Sequence, residues 1–525
     1  MRTKIWPFFL LVLLPGCVSA CTTAPQPPTV MLAATAPAVT PPRVSFTPTR
    51  LASPTPVPVT ATAVPTFAAS GTPTPSPTST ALPALDARQY LATTEADAIR
   101  VAQWLNYLVN DGHPSNVSGP LALAILRDAG IVEAGVDLHD FWLLDPRQAV
   151  HRLETTFPRR SFLWFRTETP VSAFDFDAFP LETGDLLYLY AGPGDSFEHF
   201  LVVTRVDANG SAFTVTSHNT PGGYLIEELP LAVLFAAWAA PENRSLGLTG
   251  GGGFSLWRQR KTVGDTPQAR LAHALDETLI TYGGDWQVLI RQTRGDVLYS
   301  KQADRPVHIA SVIKLPIALL FLKSVEAQAG DDLPGYLDLN GVDGRSYRQL
   351  LEFMLVRSEE DAAESLQKAI PANGLNGEAM LDAWGLPDTA LEPRQSTAQD
   401  VARMLAGLYA GEFVNAPARS LLMDLLHTYT PNDDLRLGSL REKLPGVAVY
   451  NKRGTLTDPL LIVADAALVV WDAGDPPVSF EVVVFARNPA VPGPATTYEL
   501  LNQAIEEIAI LFGQYLRETV AAHGS

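Results

Sequence analysis

The chain has 525 residues, 46% hydrophobic and 18% charged, which is globular but too long for one buried core, so at least two folded regions are expected. A formal net charge of −18, with no basic run to offset it, argues against nucleic acid as a partner. The 43 prolines are too many to spread through packed elements and must be gathered somewhere. Residues 1–21 read as an export signal: Arg2 and Lys4 precede an apolar stretch from Ile5 to Leu14, too short to span a bilayer comfortably, and small residues follow. Both cysteines, Cys17 and Cys21, lie in it, so no disulfide, thiolate metal site or cysteine nucleophile is available downstream, and neither metal nor cofactor is expected. Residues 22–84 are Pro, Thr, Ala and Ser with almost no charge. Proline removes backbone donors and favours extended chain, so this segment reads as a disordered, semi-rigid stalk.

The run Val18-Ser19-Ala20-Cys21 resembles a bacterial lipobox, which implies lipidation of Cys21 and a membrane-anchored lipoprotein on the extracytoplasmic face; Leu14-Pro15-Gly16-Cys17 is a second candidate. A first globular region is expected over 85–248. Thr94–Leu108 and Gly119–Ala129 have helical spacing, and Leu186–Tyr190, His199–Val206 and Ala212–Thr216 are short β-rich runs, with Asn209-Gly210 as a hairpin turn. Helices followed by a sheet make an α+β arrangement.

Val117-Ser118-Gly119-Pro120, opening a helix, and Glu198-His199-Phe200-Leu201, on a strand, resemble papain-like cysteine peptidases of the bacterial leader-processing type. In them a Cys-Gly-Pro begins the helix and a histidine begins the strand. The resemblance puts Ser118 at the cysteine's place, His199 at the base's, and Asn219 or His218 near the orienting residue's. A serine has no thiolate form near neutral pH, so the resemblance implies a domain without peptidase activity, a binder of peptide or cell wall. From the residues alone, Ser118 before Gly-Pro suits a helix cap, and His199 suits a strand histidine satisfied by its neighbours.

Gly250–Gly253 marks a second seam, read as a glycine-rich linker over 249–261, and a second region is expected over 262–525. Asp265–Thr281 is an amphipathic helix, Trp286–Gln292 and Val297–Lys301 form a hairpin about Arg294-Gly295-Asp296, and Val447–Lys452, Leu460–Trp471 and Ser479–Ala486 are strands. Thr497–Leu516 is a closing helix. The expected architecture is an antiparallel sheet flanked by terminal helices and interrupted by a long helical insertion. Ser311-Val312-Ile313-Lys314 opens an apolar helix, and the helical repeat sets the Lys314 amine within reach of the Ser311 hydroxyl, where a neutral lysine can take its proton.

With Ser358-Glu359-Glu360 after a helix and Lys452-Arg453-Gly454-Thr455 on a late strand, this half resembles the serine β-lactamase and penicillin-binding protein superfamily, whose motifs are Ser-x-x-Lys, Ser-Asp-Asn and Lys-Thr-Gly in that order. The resemblance implies Ser311 as nucleophile, Lys314 as base, Ser358 as proton relay and Lys452 as a site cation. It also implies substrate contacts from Glu360, Arg453, Gly454 and Thr455. Glu360 replaces an asparagine and is expected to raise the lysine pKa, and Arg453 replaces a threonine and is expected to pair with Glu360 or a substrate carboxylate. Residues 385–397 are too short to hold the loop glutamate with which class A β-lactamases activate the deacylating water. Glu392 is not assigned that role, and an acyl-enzyme is expected to persist.

The expected fold class is therefore α+β and multidomain, a papain-like domain followed by a β-lactamase-like sandwich with an all-helical subdomain. The implied function is an exported serine hydrolase acting on D-alanyl peptides of peptidoglycan or β-lactams through an acyl-Ser311 intermediate. A β-lactamase proper and a catalytically degenerate wall-peptide-binding lipoprotein remain as alternatives.

Overall fold

The structure, a computed structural model, describes residues 83–105, 114–261, 263–428, 436–472, 477–488 and 497–519. Every described residue belongs to one compact unit, Ser76–Ser525. The expected export signal with Cys17 and Cys21, and the stalk to residue 82, lie outside the described residues.

In the first region, helices α1 (Glu95–Leu105), α2 (Ser118–Asp128) and α3 (Val150–Thr156) precede strands β1 (Phe162–Thr167), β2 (Leu186–Leu189), β3 (His199–Val206), β4 (Ala212–Thr220) and β5 (Gly223–Pro230). Helix α4 (Leu231–Ala239) and strand β6 (Phe254–Gln259) follow. The strands form one antiparallel sheet in the order β1-β6-β2-β3-β4-β5. Side chains alternate across it: Phe200, Val202 and Val215 join Leu121, Leu123 and Ile125 of α2 in one core, and Leu201 and Val203 join Trp238 of α4 in another.

The stretch read as a linker is a correction. Phe254–Gln259 lies inside 249–261, yet it is a central strand between β1 and β2. The glycines before it serve close approach: a Cβ on Gly253, which has a φ of 84°, would lie 2.0 Å from the Thr167 carbonyl oxygen.

The second region begins with α5 (Pro267–Tyr282), whose N-cap Thr266 accepts from the Ala269 N–H, and continues through the hairpin β7 (Asp285–Gln292) and β8 (Val297–Lys301) and the short β9 (Val307–His308). The helical insertion comprises α6 (Lys314–Ala329), α7 (Leu333–Leu339), the hairpin β10 (Gly341–Val342) and β11 (Arg345–Ser346), α8 (Tyr347–Leu355), α9 (Glu360–Ala372) and α10 (Gly377–Ala383). After β12 (Gln395–Ser396) come α11 (Ala398–Ala410), α12 (Ala416–His427) and α13 (Leu440–Lys443), then β13 (Val447–Leu456), β14 (Ile462–Trp471), β15 (Val478–Arg487) and α14 (Tyr498–Thr519). The antiparallel sheet runs β13-β14-β15-β7-β8. Leu279 of α5 and Phe512 of α14 pack with Val288 and Val484 on one face; Leu319 of α6 and Leu405 of α11 pack with Ala466 and Phe485 on the other. The described residues are thus α+β, with two large antiparallel sheets, helices on both faces of each, and two small two-stranded pairs.

Candidate active site

The β7–β8 hairpin returns the chain through β9 into a 3₁₀ turn, Ala310–Ile313, that carries Ser311 and leads into α6. The expected helix therefore begins at Lys314, and Ser311 stands on the tighter turn before it. Every residue from Lys314 to Leu322 is buried, so α6 is held on all sides and its first residue is fixed with it. Lys314 has no exposed surface; its Nζ lies 3.1 Å from Ser311 Oγ and 3.3 Å from Ser358 Oγ, and it donates to the Ser358 carbonyl oxygen at 2.5 Å. Ser358 lies in the connection from α8 to α9, and its Oγ accepts from Lys452 Nζ at 2.9 Å. Ala310 and Ser358, on either side of the lysine, hold φ of 48° and 61°, a left-handed backbone that a non-glycine residue keeps only when its surroundings enforce it.

Lys452 sits on the edge strand β13 and is buried, and burial, with smaller effects of Lys314 and Arg453, brings its ammonium down to about 7. Burial also lowers Lys314 from its ordinary value, against the opposing pull of Glu360, whose Oε1 is 2.5 Å from Nζ. Glu360 therefore does raise the lysine as the sequence suggests, and burial outweighs it. The other oxygen of Glu360 accepts from Arg394 Nη1 at 2.7 Å. Burial would raise the Glu360 carboxyl, but its bonds to Lys314 and Arg394 hold it below the usual carboxylate value. A Cβ on Gly454 would lie 3.0 Å from the Ser311 nitrogen and 3.0 Å from the Ile309 carbonyl oxygen, so β13 lies directly against the nucleophile turn.

The structure brings together Ser311, Lys314, Ser358, Lys452, Glu360 and Gly454. It does not bring Arg453 and Thr455 to the same face. Side chains alternate along β13, so Arg453 and Thr455 follow Val449 toward α14, where Thr455 Oγ1 accepts from Arg436 Nη2 at 2.8 Å and Arg453 is in register with Asp465. The arginine that takes Glu360 is Arg394, which sequence reasoning missed. It lies inside the short 385–397 stretch already noted for lacking a loop: β12 pairs with β9, Gln395 opposite His308, and this tight return carries Arg394 to the site. His308, also missed, accepts from the Ala310 N–H at its Nδ1, and burial together with Arg394 lowers its pKa. Glu392 is exposed, and its Oε1 is 3.4 Å from Gln367 Nε2.

The arrangement suggested by the papain-like resemblance is not assembled. Ser118 is the first residue of α2, after an N-cap at Val117, and its Oγ accepts from the Phe200 N–H at 3.4 Å. Strand alternation then turns His199 to the opposite face of the sheet, where its Nε2 bonds Thr216 Oγ1 at 2.8 Å and its ring lies 4.9 Å from that of Trp238. Burial, with a smaller effect of His218, pushes this imidazole down to about 3. Asn219 lies on β4 two residues beyond Ser217 and four beyond Val215, so its side chain leaves on the α2 face and not on that of His199. His218 does share the His199 face, but it bonds Glu227 Oε2 at 2.8 Å.

No curated protein matches the chain. Among solved structures, the chain is similar to a β-lactamase from Chitinophaga pinensis, with 18% identity and a TM-score of 0.37 over 46% of this chain and 97% of that one. A class A β-lactamase from Bacteroides cellulosilyticus shares 17% identity, with a TM-score of 0.39 over 49% of this chain and all of that one. For a β-lactamase from Sphaerobacter thermophilus the figures are 21%, 0.37, 48% and 97%. Residues 270–516, the segment that contains Ser311, Lys314, Ser358 and Lys452, match the family model described as Beta-lactamase enzyme family, and it is to these serine hydrolases that the C-terminal half of the chain is similar.

Proposed function

We propose that the chain is an exported serine hydrolase that transfers the acyl group of D-alanyl wall peptides or β-lactams to Ser311, and that Cys21 anchors it by a lipid outside the cytoplasmic membrane. The observation that carries the reading is the continuous hydrogen-bonded path Ser311 Oγ, Lys314 Nζ, Ser358 Oγ, Lys452 Nζ, with steps of 3.1, 3.3 and 2.9 Å. Lys314, lowered by burial, takes the Ser311 proton as Oγ attacks the carbonyl carbon. Collapse breaks the amide bond, and Ser358 passes a proton from the lysine pair to the leaving nitrogen. Lys452 supplies positive charge for a substrate carboxylate, a group that acyl-D-alanyl-D-alanine and penicillins both carry. The first region acts in this reading as a binding module without peptidase chemistry, since Ser118 and His199 lie on opposite sides of one sheet. Incubation with a fluorescent penicillin tests the proposal: the protein should either take a covalent label or hydrolyse the drug, and Ser311→Ala should abolish both. A parent protein that takes no label and hydrolyses nothing under saturating conditions supports a binding protein instead.

A further inference from the structure

The sequence provides no loop glutamate to activate a deacylating water, yet the structure sets a carboxylate beside the nucleophile from another direction. Glu360 Oε1 is 3.4 Å from Ser311 Oγ and 2.5 Å from Lys314 Nζ, and the side chain is 49% exposed, so water reaches the carboxylate. Its Oε2 is held by Arg394, a side chain only 25% exposed, and with Oε1 on Lys314 the carboxylate is fixed beside the serine. We infer that Glu360 is the general base of deacylation, with Arg394 as its positioning residue, so that the acyl-enzyme turns over. The inference rests on the Ser311 reading above.

The ester carbon of an acyl-Ser311 is one bond from Oγ, so a water bonded to Oε1 lies within attacking distance of it. The water oxygen bonds to the acyl carbon as its proton passes to Glu360 and the carbonyl electrons move to oxygen. Collapse of the tetrahedral species breaks the C–Oγ bond, Ser311 recovers the proton from the Glu360 carboxylic acid, and the free acid leaves. One water is consumed, and no oxidant or reductant is needed. The same residue has opposite effects on the two half-reactions. Beside Lys314 it favours the ammonium and so slows acylation; beside the ester it accepts a proton and speeds hydrolysis. A neutral asparagine at this position would do neither.

The test is pre-steady-state hydrolysis of a chromogenic cephalosporin by the full chain, with intact mass measured alongside. The parent should turn over with little adduct. Glu360→Gln, a nearly isosteric change at an exposed position, should show an initial burst that the parent lacks, with steady turnover lower by about 100-fold or more and the acyl adduct accumulating. Arg394→Gln provides a second readout. The charged groups facing Glu360 are Lys314 on α6, Arg394 before β12 and Lys452 on β13, with Glu359 adjacent in sequence and His308 beside Arg394. Removing Arg394 takes away a cation, so the acid limb of deacylation should move to higher pH, which a merely structural role would not cause. Turnover by Glu360→Gln within a few-fold of the parent overturns the inference while leaving Ser311 as nucleophile, as does a parent that keeps its adduct without turnover. A parent that forms no adduct and hydrolyses nothing overturns the Ser311 reading, and this inference with it.

Discussion

At the scale of single residues, Lys452 shows how the site is maintained at the expense of stability. The unfolded chain keeps this ammonium protonated to near 10.5, whereas burial in the fold lowers it to about 7. Between those values the unfolded state binds more protons, so the lysine's contribution to stability rises with pH across the window, and its penalty is complete below 7. Lys452→Met should therefore be more stable than the parent at pH 6, by on the order of 1–4 kcal/mol, with the difference shrinking toward pH 10, while acylation is lost. Thermal melts of both proteins across that range check the sign; a variant less stable at pH 6 would mean that the bond to Ser358 outweighs burial. Ser311 and Lys314 were legible because one helical turn relates them, and Ser358 and Lys452 because their neighbours and order carry a pattern. Arg394 was not legible: nothing in Glu392-Pro393-Arg394 indicates that its partner lies on α9.

At the scale of elements, alternation could be read only where a strand's neighbours were known. His199 was rightly placed on a strand, but which face it occupies depends on α2 and α4 packing against opposite sides of the sheet, and the sequence does not order those layers. The same period of two put Lys452 and Gly454 at the site and turned Arg453 and Thr455 away. Strand β6 was missed because four glycines before it look like a hinge, and a strand added to a sheet from so far along the chain leaves no local signal. The structure gives the glycines a steric role, and Gly253→Ala tests it. A Cβ there meets backbone, and the φ of 84° is unfavourable to any L side chain, so a loss of about 1–3 kcal/mol is expected, read as a lower Tm. An unchanged Tm would return the segment to the role of a flexible connector.

At the scale of the whole molecule, the two regions share one core and a set of buried ion pairs. Phe165 of β1 and Tyr282 of α5 lie in the same hydrophobic cluster, with ring centroids 5.6 Å apart. Glu507 of α14, 2% exposed, is paired with Arg159 of the first region and lies 3.6 Å from Arg260, which follows β6. Glu507→Ala would leave two buried guanidiniums without this counter-charge, and a loss of about 3–5 kcal/mol is expected. Because the pairs cross between the regions, the parent should unfold in one transition and the variant in two, as seen by calorimetry; a single transition in both would mean that the shared apolar core suffices. The acyl-transfer account rests on Ser311, and peptide mapping by mass spectrometry after incubation of Glu360→Gln with benzylpenicillin tests it most directly. The account predicts one added drug mass on the peptide containing Ser311 and none in the same variant carrying Ser311→Ala; an adduct on any other residue, or no adduct at saturating drug, would contradict it.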